Sequence, residues 1–216
     1  MLSNKVERSF PGNMRAFSII LLATLLVGCA GDKTPAWVRF AQKKPNKWGH
    51  YSGYVEARWE NDGRTMTLLS ELRYTDPQGV VWIAPAGSVV DGASIPRTLW
   101  TLMGGPFEGK YRNASVLHDV SYDQKNKPHD VCDRMFYNAM RCSGVSAVEA
   151  GTMYYSLRKF GHHWKAPKAE PVKVGEEIVA RAEPVNPSDI NATRDWIRNS
   201  DPTPEQIEQR ADTPAH

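Results

Sequence analysis

Residues 111–140 read YRNASVLHDVSYDQKNKPHDVCDRMFYNAM, and the only helix-breaking run in this stretch is Gln124-Lys125-Asn126-Lys127-Pro128. A helix on each side of so short a polar connection has to double back, so the segment predicts a helical hairpin with antiparallel arms. At 100° per residue, Tyr111, Ala114, Leu117, His118 and Ser121 share one sector of the first arm, which puts the His118 imidazole among inward-facing side chains. Asp119 lies at the edge of that face. On the second arm Cys132, Met135, Phe136, Ala139 and Met140 follow the i, i+3, i+4, i+7, i+8 pattern, with Asp133 flanking the stripe.

Counted outward from the turn, His118 and Asp133 fall at about the same height on facing arms, roughly two turns from the connection. A carboxylate bordering apolar side chains needs a partner, so the two are expected to meet. Such a carboxylate fixes the imidazole tautomer and leaves the second ring nitrogen as an acceptor, the arrangement a water-activating general base requires. A His–Asp pair across a hairpin is equally an ordinary structural contact. Asp119 adds a second carboxylate beside His118, and Tyr122 and Tyr137 add hydroxyls able to orient the acids.

Upstream, Arg15–Cys29 (RAFSIILLATLLVGC) combines a basic residue, an apolar run and Leu26-Val27-Gly28-Cys29. This resembles a bacterial lipoprotein signal with its lipobox. The resemblance implies cleavage before Cys29, lipidation of its thiol and, with Ala30 next, residence at the outer membrane facing the periplasm. The apolar run is short for a membrane span, and Met14 is an alternative start to Met1. The expected organisation is a signal at 1–28, a tether at 29–53, an α+β domain at 54–164 and a Pro-rich, largely disordered tail at 165–216. The formal charge is only +3, with basic residues scattered, which gives no case for nucleic acid. Cys132 and Cys142 would lie about 15 Å apart on one helix, too far to bridge.

The first half of the domain predicts a small antiparallel meander. Tyr54–Glu60 and Arg64–Thr75 flank the hairpin signal Asn61-Asp62-Gly63, and Met66, Leu68, Leu72 and Tyr74 alternate with polar residues. Turns at 76–79 and 85–87 bound the next two short strands. At Asp91-Gly92-Ala93-Ser94-Ile95-Pro96-Arg97, Gly92 suits a turn, Ser94 an N-cap and Pro96 a first helical turn. Alternatively, Asp91 or Ser94 lies near His118 as a second carboxylate, metal ligand or oxyanion donor, with Arg97 close by. Carbonyls of the 104–109 loop are candidate cation ligands. Ser146 to Glu149 is a capping box opening a third helix to about Phe160. His162 and His163 after it read as surface groups, not as a metal pair. In the tail, Ser188–Asn199 and Thr203–Ala211 are short helix candidates, with Thr203 as a cap, and look like a spacer or partner-binding region. The fold class is therefore α+β: a small meander followed by a three-helix segment containing the hairpin.

VVDGASIPRTLWTL, YRNASVLHDVSYD, DVCDRMFYNAM and YYSLRKFGHHW, in this order and spacing, resemble the domain-of-unknown-function family 1353. That family occurs in phages, prophages and bacterial lipoproteins; the likeness spans about Tyr54 to Trp164 and implies a shared fold without an activity. Separately, His118-Asp119-Val120-Ser121-Tyr122 followed by Cys132-Asp133-Arg134 is similar to the active-site helices of secreted phospholipases of the A-two type. The likeness implies that His118 activates water, Asp133 orients it, Tyr122 supports the pair and Asp119 binds calcium. The connection here is shorter, and the interhelix disulfides and usual calcium loop are missing.

Two readings follow. One is an anchored envelope or phage-derived binding or structural module. The other is a hydrolase of lipid esters or other envelope material, with His118 as base, Asp133 and Tyr122 behind it, and Asp119 with Asp91 or loop carbonyls holding calcium or another divalent cation.

Overall fold

The computed structural model describes residues 45–92, 94, 95, 100, 104–164 and 184–213. The lipoprotein-like segment with Cys29, most of the expected tether, and Arg97 lie outside the described residues.

The fold is α+β, with two three-stranded antiparallel sheets followed by helices. Strands β1 (His50–Ser52), β4 (Leu72–Thr75) and β5 (Val81–Ala84) form one sheet in the order β1-β4-β5. Strands β2 (Ala57–Trp59), β3 (Met66–Leu68) and β6 (Val89–Val90) form the other, ordered β2-β3-β6. The expected alternation holds: Met66, Leu68, Leu72 and Tyr74 are buried while Glu71 and Arg73 face water. The chain does not run through as one strand, however. It breaks at Leu69–Glu71, where Leu69 is exposed, and the two halves join different sheets, so the arrangement departs from a simple meander. The tether also ends earlier than expected. Tyr51 sits on Tyr74 with ring centroids 5.0 Å apart, and that apolar contact draws residues 50–52 into the first sheet.

The hairpin forms as predicted, from α1 (Arg112–Gln124) and α2 (His129–Cys142). Lys125 ends α1 in a left-handed conformation, φ 48°, and Pro128 precedes α2. Helix α1 is buried on every side from Asn113 to Tyr122, because it lies between α2 and strands β5 and β6. A third helix, α3 (Ala147–Phe160), begins where Ser146 Oγ accepts the Glu149 N–H at 3.1 Å. Cys132 and Cys142 are both buried, and the Cys142 thiol donates to the Gly49 carbonyl at 3.4 Å.

The tail expectation needs correction over residues 184–213. Helices α4 (Pro187–Ser200) and α5 (Pro204–Asp212) pack against α3, burying Ile190, Thr193, Ile197, Ile207 and Ala211. Gly151 of α3 makes room for them: a Cβ there would meet Ile207 Cδ1 at 3.1 Å and Ile197 Cδ1 at 3.2 Å. Arg134 of α2 secures α5 through Glu208 at 2.6 Å and Glu205 at 2.5 Å. The apolar spacing in this segment is sparse, yet it matches one face of each helix. Among the described residues no helix is long and apolar enough to cross a membrane.

Candidate functional site

His118 and Asp133 meet across the hairpin. Nε2 of the imidazole lies 3.0 Å from Asp133 Oδ1, and both side chains are fully buried. Tyr122, one turn after His118 on α1, donates its hydroxyl to the same carboxylate oxygen. Burial and the neighbouring carboxylate hold that phenol well above its ordinary pKa, so it remains a neutral donor. Asp133 Oδ2 finds no hydrogen-bond partner among the described residues. Tyr137, the other candidate hydroxyl, instead packs its ring against Trp48 and Tyr154.

The second ring nitrogen is not left for water. His118 Nδ1 lies 3.0 Å from Ser94 Oγ, so the 91–94 turn brings a hydroxyl where the general-base reading wants a solvent molecule. Ser94 Oγ also donates to Asp119 Oδ1, and the Ser94 N–H approaches the same oxygen at 3.3 Å. The Gly92 and Asp91 N–H groups reach Asp119 Oδ2 at 2.6 and 3.1 Å. One carboxylate thus gathers the N–H groups of Asp91, Gly92 and Ser94 together with the Ser94 hydroxyl, as an anion does in a backbone nest. Gly92 makes that turn possible. Its φ is 72°, and a Cβ would strike Pro106 Cγ at 2.2 Å. Burial pushes the Asp119 carboxyl up, against the lowering effect of the Ser94 hydroxyl and the Gly92 N–H.

This environment does not fit a divalent cation at Asp119. Calcium needs oxygen ligands, whereas both Asp119 oxygens already face N–H or O–H donors. The Asp91 carboxylate pairs with Arg64 at 2.7 Å. In the following loop the Gly105 carbonyl accepts from the Tyr111 hydroxyl and the Phe107 carbonyl from Arg112 Nε. No group of three or more His, Cys, Asp or Glu placed to hold a metal occurs among the described residues.

Beside the network lies a cavity of about 420 Å³, lined in part by Ser94, Asp119, Tyr122, His162, His163 and Trp164. His118 and Asp133 are not in its wall; Ser94 and Tyr122 stand between them and the opening. Trp164 packs edge-on against Tyr122 at 4.5 Å and donates its indole N–H to the Lys127 carbonyl, tying the end of α3 to the hairpin turn. His163 is half-buried and stacks on His129, with centroids 4.3 Å apart; burial and that second imidazole push its pKa down. His162 is exposed, as expected, but His163 and Trp164 were not legible as cavity residues because they follow the last periodic position of α3.

Every member of this network, from Ser94 to Asp133, falls within the segment that carries the family likeness. Residues 66–157 match the family described as Protein of unknown function (DUF1353). The DUF1353 segment takes in β3 to β6 and most of α3, leaving β1, β2, Trp164 and the α4–α5 pair outside it. An uncharacterized protein of Sinorhizobium fredii, y4jT, is 43% identical over 97 residues, which cover 45% of this chain and 29% of that one. A second uncharacterized protein from the same organism, y4iH, is 29% identical over 151 residues, covering 70% and 63% respectively. The chain therefore spans less than two thirds of the length of either relative. No solved structure matches it.

Proposed function

We propose that this DUF1353-containing chain is a bacterial envelope lipoprotein, held to the membrane through Cys29, whose domain is a binding module. In this reading the cavity beside the 91–94 turn is the working surface, and the His118 network keeps that turn in place. The observation that carries it is the enclosure of His118. The ring is fully buried, and each nitrogen faces a protein group at 3.0 Å. A water-activating base needs a nitrogen that solvent reaches. The anchor rests on the sequence pattern at Arg15–Cys29.

Metabolic labelling with an alkynyl fatty acid, followed by fractionation, tests the anchor. The wild-type chain takes up label and sediments with membranes, and Cys29→Ala does neither. An unlabelled wild-type chain found in the soluble fraction would remove the lipoprotein reading.

A further inference from the structure

The contact that denies His118 a water gives it a hydroxyl instead. Ser94 is buried except where it lines the cavity, and its Oγ is 3.0 Å from His118 Nδ1. The opposite nitrogen faces Asp133 Oδ1 at 3.0 Å, and the Tyr122 hydroxyl braces that oxygen. Hydroxyl, imidazole and carboxylate in line, with the hydroxyl toward a cavity and the carboxylate sealed behind, have the spatial logic of an activated nucleophile. Relative to the usual arrangement the two ring nitrogens are exchanged: Nδ1 serves the hydroxyl and Nε2 the acid. Imidazole chemistry is indifferent to that exchange as long as the second nitrogen carries the proton toward the carboxylate.

We propose that Ser94 is a nucleophile, activated by His118 and Asp133, that accepts short acyl groups from carboxylic esters entering the cavity. Ser94 Oγ attacks the ester carbonyl carbon while its proton passes to His118 Nδ1. The carbon–oxygen bond to the alcohol breaks, the departing oxygen takes that proton, and the acyl group remains on Ser94. Val89, Val90 and Trp164 give the cavity apolar walls suited to a short acyl chain.

Asp119 sets the pace. Its carboxyl accepts the Ser94 hydroxyl proton when ionised; when protonated, it donates to Ser94 Oγ and turns the serine hydrogen toward His118. The turn's N–H groups are engaged on Asp119, so a substrate oxygen has to displace one of its oxygens to reach them. Acylation is therefore the step to measure, ahead of turnover.

The full-length chain in detergent is treated with a small alkyl fluorophosphonate, and the site of modification is mapped by mass spectrometry. One adduct is expected, on Ser94, absent from Ser94→Ala and formed about a hundredfold more slowly in His118→Gln. An equimolar burst of nitrophenol from p-nitrophenyl butyrate is expected as well. A folded wild-type chain that takes no adduct, or takes it elsewhere, would overturn the assignment, as would a folded His118→Gln that labels at the wild-type rate.

Discussion

The hydroxyl of Tyr122 donates at 2.5 Å to Asp133 Oδ1, the same oxygen that faces His118 Nε2, while Oδ2 has no partner among the described residues. The buried acid thus depends on two groups at one oxygen. Tyr122→Phe removes one of them without changing shape. The expected cost is about 1–3 kcal/mol, that of leaving a buried polar group short of a bond. Urea unfolding would report it as a lower midpoint at unchanged slope.

His118→Ala removes the other group and strands a fully buried carboxylate. Breaking a buried pair by deleting one partner costs about 3–5 kcal/mol. A loss of that size in the melting curve is expected. An unchanged melting temperature would contradict the structural role assigned to the pair.

Gly92→Ala strikes at the turn. A Cβ would lie 2.2 Å from Pro106 Cγ, at a φ of 72° that side chains other than glycine resist. The turn has to move, withdrawing its donors from Asp119 and separating Ser94 from His118. Backbone strain of this kind costs on the order of 1–3 kcal/mol. The expected signature is a lower melting temperature together with loss of whatever binding or labelling the cavity supports.

The clasp between α2 and α5 carries a pH signature. Arg134 holds the Glu205 carboxyl down, from 4.5 to about 2. A depressed carboxyl contributes stability that is present above its unfolded value and disappears as pH falls through the folded one. The contribution of Glu205 should therefore fade between pH 4.5 and about 2. Its side chain is 64% exposed, so solvent screening limits the effect to under about 1 kcal/mol. Thermal melts across that range should show the dependence in the wild type and a weaker one in Arg134→Ala.

Gly151 separates two opposed effects. Alanine there improves helix propensity by about 1 kcal/mol, and its Cβ would meet the mobile ends of Ile197 and Ile207 at 3.2 and 3.1 Å. The two nearly cancel, so Gly151→Ala should be almost silent. Gly151→Val adds branches with no room and should cost about 1–3 kcal/mol, with amide exchange accelerated in α4 and α5.

Much of this architecture follows from patterns visible in the chain. The single breaker at 124–128 and the two apolar stripes locate α1 and α2, and counting turns from the breaker brings His118 opposite Asp133. The alternation from Met66 to Tyr74 marks the buried face correctly. The same alternation hides the break at Leu69–Glu71, since a strand that changes sheets keeps its period. The likeness to the phospholipase helices implies a cation ligand at Asp119. What makes it an acceptor for N–H groups is a turn 25 to 28 residues upstream, whose backbone direction no local pattern encodes. Thr203 and Pro204 announce α5, but Ile190, Ile197 and Ile207 are too few to announce what they pack against.

The α4–α5 pair lies beyond the DUF1353 segment and yet shields one flank of its last helix, with Ile190, Ile197 and Ile207 all but hidden from water. A polypeptide cut after Trp164 would present that flank bare to solvent. It would self-associate instead of remaining monodisperse, so the domain as this protein carries it is completed only by residues that the shared family segment does not contain.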